Sequence, residues 1–175
     1  MSDQTGQTFA GFWVRSAAVV VDLLLIGLVL LPLILLYFHF SPEDFYASPP
    51  TAFLDKLELM FALIIVPNLF FVTRYGATPG KMVFGLRIIN GDGSIPNLGK
   101  TIKREIIGKS ISGVFFSFGY YWAAFDKEKQ AIHDKIAGTH VIFTKPLTEV
   151  KKLMIYFVVL LPFLIVLGGI VFSRL

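Results

Sequence analysis

Two residues of opposite charge, Arg15 and Asp22, stand in a stretch otherwise suited to lipid, VRSAAVVVDLLLIGLVLLPLILLYF. Seven helical steps of 100° fall about 20° short of two turns. Both side chains therefore share one helix face, about 10.5 Å apart along the axis. Helical side chains lean toward the N-terminus, so Asp22 leans toward Arg15 while Arg15 leans away, which disfavours a direct pair. Arg15 can snorkel to headgroups from the start of the apolar run. Asp22 lies deeper, and a charge at the centre of a membrane helix costs roughly 2.5–3.5 kcal/mol. Its expected neighbour is another helix, a water-filled cavity, or a basic residue such as Arg104 or Lys109. Two chemistries fit: a titratable ion or proton site, or a buried charge that locks a helix bundle.

The elements that must position this pair belong to a hydrophobic chain. Of its 175 residues 55% are hydrophobic and the mean hydropathy is +0.70, against about 45–50% apolar in soluble domains. The absence of cysteine excludes disulfides, thiolate metal sites and cysteine nucleophiles. His39, His133 and His140 have no metal-binding spacing, and no Ser-His-Asp or paired-carboxylate pattern is present. The expectation is a protein that is not an enzyme and uses no cofactor or metal.

The architecture expected is an all-α membrane protein, a small helical transmembrane bundle with a short cytoplasmic β-hairpin region. Ala17–Phe38 would extend about 33 Å as a helix, enough to span a core of about 30 Å. It exceeds the apolar region of a signal peptide, about 7–15 residues. Leu57–Val72, interrupted by Pro67 and Asn68, is a second candidate span, and Leu153–Phe172 is a third. This gives a membrane domain over 1–152 and an additional C-terminal transmembrane helix over 153–175. The loop after the first span has a net charge of −3 and the region Arg74–Lys109 one of +5. Basic loops stay in the cytoplasm, so the N-terminus is expected inside and the acidic loop outside.

Met82–Asn90, followed by Asn90-Gly91 and Asp92-Gly93, has β-type residues and tight-turn signals, and Gly138–Lys145 reads as a second strand. If the two pair, Ile111–Phe125, short for a span, enters and leaves by one face as a re-entrant hairpin. Before the first strand, GATPGK lacks the spacing of a phosphate loop and reads as a turn. IKREIIGK is an interfacial segment: Leu98, Ile102, Ile106 and Ile107 face lipid, while Lys100, Lys103, Arg104 and Lys109 reach anionic headgroups. Nucleic acid is not an expected partner. Gly108/Ser112 and Gly113/Ser117 are small-residue pairs suited to close helix contact.

Three motifs in order, AGFWVRSAAVVVDLLL, TPGKMVFGLRIINGDGSIPNLGKTIKRE and FDKEKQAIHDKIAGTHVI, resemble the RDD family of small bacterial integral membrane proteins over roughly Phe9 to Thr144. The family is named for one Arg and two Asp. The resemblance implies Arg15 and Asp22 for the first two, and Asp134, with Asp126 as alternative, for the third. It also implies a multi-pass protein of the bacterial cytoplasmic (inner) membrane, and transport has been proposed for the family. The expected function is a cation/proton or small-solute transport component using Asp22. The alternative is a non-catalytic membrane adaptor or scaffold that binds lipid or a partner protein. Few spans also imply a homo-oligomer or a partner membrane protein.

Overall fold

A computed structural model describes residues 8–40, 50–114 and 118–156. The C-terminal candidate span lies outside the described residues from 157 onward, as does the acidic loop from 41 to 49. Helix α1 runs Phe12–Phe40 and α2 runs Pro50–Tyr75. A short helix α3, Pro79–Val83, leads into strand β1, Leu86–Asn90. Helix α4, Leu98–Ile102, continues through a π-helical turn, Lys103–Gly108, into α5, Lys109–Val114. Helices α6, Phe118–Phe125, and α7, Ile132–Ala137, precede strand β2, Thr139–Phe143.

The fold is mostly helical, and among the described residues one helix is long and apolar enough to cross a bilayer, over Phe12–Pro32. Helix α2 has 26 residues, but Asp55, Lys56 and Glu58 occupy its first half. Its apolar part is Phe61–Tyr75, shorter than the roughly 20 residues a span needs. The second expected span, Leu57–Val72, lies within α2. Among the described residues, the mostly helical fold thus combines one candidate membrane helix with a small two-stranded sheet.

In this sheet β1 and β2 pair antiparallel from Leu86↔Phe143 to Asn90↔Thr139, in the pairing the strand patterns predict. They are not joined by a tight turn: a long, largely helical insertion separates them in the sequence. Within that insertion α5 and α6 fold back on each other. The Tyr120 hydroxyl donates to the Lys109 carbonyl at 3.4 Å, and a Cβ at Gly119 would lie 2.6 Å from Ser112 Cα. This is the fold-back that a hairpin over Ile111–Phe125 requires.

The N-terminal segment is pinned to the other edge of β2. Ala10 N–H donates to the Val141 carbonyl at 2.8 Å, and Phe143 N–H to the Thr8 carbonyl at 3.0 Å. This fixes where α1 starts. Its first turns then bury Val14, Ala17 and Ala18 in a core with Val72, Phe84, Leu86, Ile88 and Val141. Beyond Asp22 the helix leaves this core: Leu23, Leu24, Leu25, Leu28, Val29, Leu31, Leu35 and Leu36 are all exposed. A long exposed apolar sleeve is unfavourable in water and suited to lipid.

Candidate functional site

Asp134 is the hub of a buried charge cluster at the foot of α1. It is the third residue of α7, and its Oδ2 accepts from the Ala131 N–H at 3.1 Å, closing the first turn as an acidic N3 residue can. The same carboxylate is held by two guanidiniums. Arg15 Nη1 donates to Oδ2 at 2.5 Å, while Arg104 Nε and Nη2 both donate to Oδ1, at 2.9 and 2.7 Å. Arg104 also pairs with Glu105, which in turn pairs with Lys109. Burial acts against the charge of Asp134, but Arg104 and Arg15 outweigh it and hold the carboxyl well below the usual carboxylate range. Burial is outweighed in the same way at Glu105, by Lys109 and Arg104.

One glycine and the π turn make this approach possible. The π turn inserts an extra residue into the helical ladder and leaves Arg104 and Gly108 buried on the face toward α7. A Cβ at Gly108 would stand 2.9 Å from His133 Cβ and 3.0 Å from its Cα, so only glycine lets α7 come this close. His133, in contact with Ser112 Oγ at 3.3 Å, is sealed in the same seam. Burial pushes its imidazole down to about 3 despite the neighbouring Asp134, so it is neutral at physiological pH.

Asp22 is held separately and by neutral groups. Its Oδ2 accepts from the Thr78 hydroxyl at 2.6 Å and its Oδ1 from the Gly80 N–H at 2.6 Å. Thr78 is the N-cap of α3, accepting from the Lys81 N–H at 3.4 Å, with Pro79 at the first helical position. A Cβ on Gly80 would meet Asp22 Cγ at 2.8 Å and Asp22 N at 2.9 Å. The expected turn in GATPGK is thus an N-capped helix start that α1 seats against. Among the described residues no cationic nitrogen lies within 4 Å of the Asp22 carboxylate.

The RDD family pattern matches residues 9–138. The chain belongs to the RDD family. Among its relatives in Bacillus subtilis (strain 168), the uncharacterized protein YckC is 28% identical over 141 residues, 78% of this chain and 86% of its own length. The uncharacterized membrane protein YteJ is 31% identical over 143 residues, 78% of this chain and 82% of its own. No solved structure matches the chain. Family and apolar helix together support a membrane location for this RDD protein.

The structure separates Arg15 and Asp22, which the sequence places on one helix face. Arg15 and Asp134 meet, whereas Asp22 touches neither Arg15 nor Arg104. Arg15 is turned into the protein rather than out to headgroups; its Nε donates to the Ala10 carbonyl at 2.8 Å. Asp126 belongs to a surface turn, accepting from Glu128 and Gln130 N–H groups and pairing with Lys135. Arg104, only 2% exposed, is removed from the lipid-facing set because its guanidinium is used by Asp134 and Glu105. Lys100 and Lys103 remain exposed, and Lys109 is partly committed to Glu105. Among the described residues no cluster of three or more His, Asp or Glu is arranged to hold a metal ion.

Three participants, Lys81, Glu105 and His133, were not legible as site residues. Glu105 had a local signature, its i,i+4 spacing to Lys109; Lys81 lay in a segment read as a turn. His133 had no such signature.

Proposed function

We propose that this RDD protein is a non-enzymatic, multi-pass component of the bacterial cytoplasmic membrane that moves a cation or proton, or a solute coupled to one, through a site at Asp22. The observation that supports this is the contrast between the two aspartates. Asp134 is neutralised by two guanidiniums and sealed. Asp22 is half-buried at the foot of the apolar helix and held only by an O–H and an N–H, so its charge stays available to a cation. With the N-terminus cytoplasmic, the site opens near the inner face. Exposed Lys100 and Lys103 anchor that face on anionic headgroups, and a second copy or a partner membrane protein completes the path.

The test is ion flux in proteoliposomes under a sodium, potassium or proton gradient. Flux in the wild type that disappears in a folded Asp22→Asn variant is the expected result. Wild-type rates in that variant would remove Asp22 from the pathway. One observation favours the adaptor reading: both Asp22 oxygens are already hydrogen-bonded, as suits a lock between α1 and α3. That reading requires no flux in the wild type and a lower melting temperature in Asp22→Asn.

A further inference from the structure

Lys81 is a buried cation without an ion-pair partner of its own. It is 5% exposed, and among the described residues no carboxylate oxygen lies within 4 Å of its Nζ. Its ammonium donates to Thr78 Oγ1 at 3.3 Å. Thr78 has one hydroxyl proton, and that proton is directed to Asp22 Oδ2 at 2.6 Å. Toward Lys81 the hydroxyl can therefore act only as acceptor. The three groups form a directed chain: Lys81 Nζ–H to Thr78 Oγ1, and Thr78 O–H to Asp22 Oδ2.

The charges acting on Lys81 come from three elements: Asp22 on α1, Arg104 and Glu105 on the π turn, and Lys109 on α5. Glu105 is already paired with Arg104 and Lys109, whereas Asp22 has no ion pair. Burial, then Lys109, opposes the charge of Lys81 and brings it down to about 8, with Glu105 and Asp22 acting the other way. A second positive charge placed on Asp22 would sit close to the Lys81 ammonium in a largely dehydrated setting, where repulsion is strong.

We propose that Lys81 competes with a bound monovalent cation for the negative charge of Asp22, and releases its proton when the cation binds. This rests on reading Asp22 as an ion site. Lys81 passes a proton to Thr78 Oγ1 as Thr78 passes its own to Asp22 Oδ2, leaving an amine and a carboxylic acid. The arriving cation then displaces that proton from Oδ2 to water. The cycle begins with ammonium and carboxylate and ends with amine and carboxylate–cation. One proton leaves for one cation bound, and the total charge is unchanged.

The experiment is a lysine titration of the full-length protein in detergent micelles, using isotope-labelled lysine side chains. The Lys81 resonance is assigned by its loss in Lys81→Arg. Wild type and Asp22→Asn are titrated in sodium, potassium and choline chloride at one ionic strength. In the wild type, the Lys81 midpoint in at least one alkali salt should fall by about one pH unit, a tenfold change, below its value in choline. In Asp22→Asn it should be low and equal in all three. A wild-type midpoint identical in sodium, potassium and choline chloride would overturn the proposal. If the midpoint follows the cation while vesicles carry no flux, transport fails and the competition stands. Flux that needs Asp22 while Lys81 ignores the cation removes the competition alone.

Discussion

Arg15 reaches Asp134 across 119 positions of sequence, with 2.5 Å between Nη1 and Oδ2, and does not pair with Asp22 seven residues along its own helix. The foot of α1 therefore faces two different environments. One side is closed by strong ion pairs around Asp134. The other seats Asp22 on the capped start of α3, with Lys81 behind it. The first suits stability and the second suits exchange.

Asp134→Asn should destabilise the fold by about 3–5 kcal/mol, because it leaves two buried guanidiniums short of a counter-charge. Asp126→Asn should cost no more than about 1 kcal/mol, since Lys135 is a solvent-exposed partner and Asn still accepts from the turn. Thermal unfolding of the two variants side by side checks the difference. Equal losses would mean that Asp134 is not the hub.

Gly80→Ala should lower stability by about 1–3 kcal/mol, since the added methyl group must push α1 off α3 and loosen the Gly80–Asp22 hydrogen bond. Gly113→Ala is the control. It has nothing within 4 Å of the added Cβ, and replacing a helical glycine by alanine should be neutral or favourable by up to about 1 kcal/mol. Melting temperatures in one detergent decide the matter.

Stability should fall as the pH is lowered from about 6.5 to 5. The unfolded imidazole of His133 protonates near 6.5, while burial keeps the folded one neutral down to about 3. Between those values the unfolded chain binds the extra proton, so acid favours unfolding. The loss across this window should be about 1.5–2 kcal/mol. Asp134 and Glu105, both held below the carboxylate range, contribute theirs only at lower pH. His133→Gln should flatten the slope between pH 6.5 and 5; an unchanged slope would assign it to another group.

Orientation can be read by labelling single cysteines, since the chain has none of its own. Asp92→Cys should react with an impermeant thiol reagent only after the cells are opened, whereas Glu43→Cys should react from outside. The reverse pattern would invert the topology and place the charge cluster on the other face.

Several features were determined by local sequence. The apolar run of α1 and the two strands follow from side-chain pattern, turn residues and segment length, which act within a few positions; the hairpin expected over Ile111–Phe125 followed only once those strands were paired. Thr78-Pro79 likewise specifies a helix start. The charge partners were not determined in this way. Arg15 and Asp22 share a helix face by geometry, yet each finds its partner on a remote segment. Edge pairing of residues 8–10 with β2 positions Arg15, the β1–β2 register returns α7 beside it, and the π turn aims Arg104 inward. Gly80 and Gly108 then permit backbone approaches that a Cβ would block. A buried charge takes whichever donors the packed chain brings within reach, because leaving it unpaired is costly. Only the tertiary structure could decide that Arg15 would be sealed with Asp134 and Asp22 left to neutral donors.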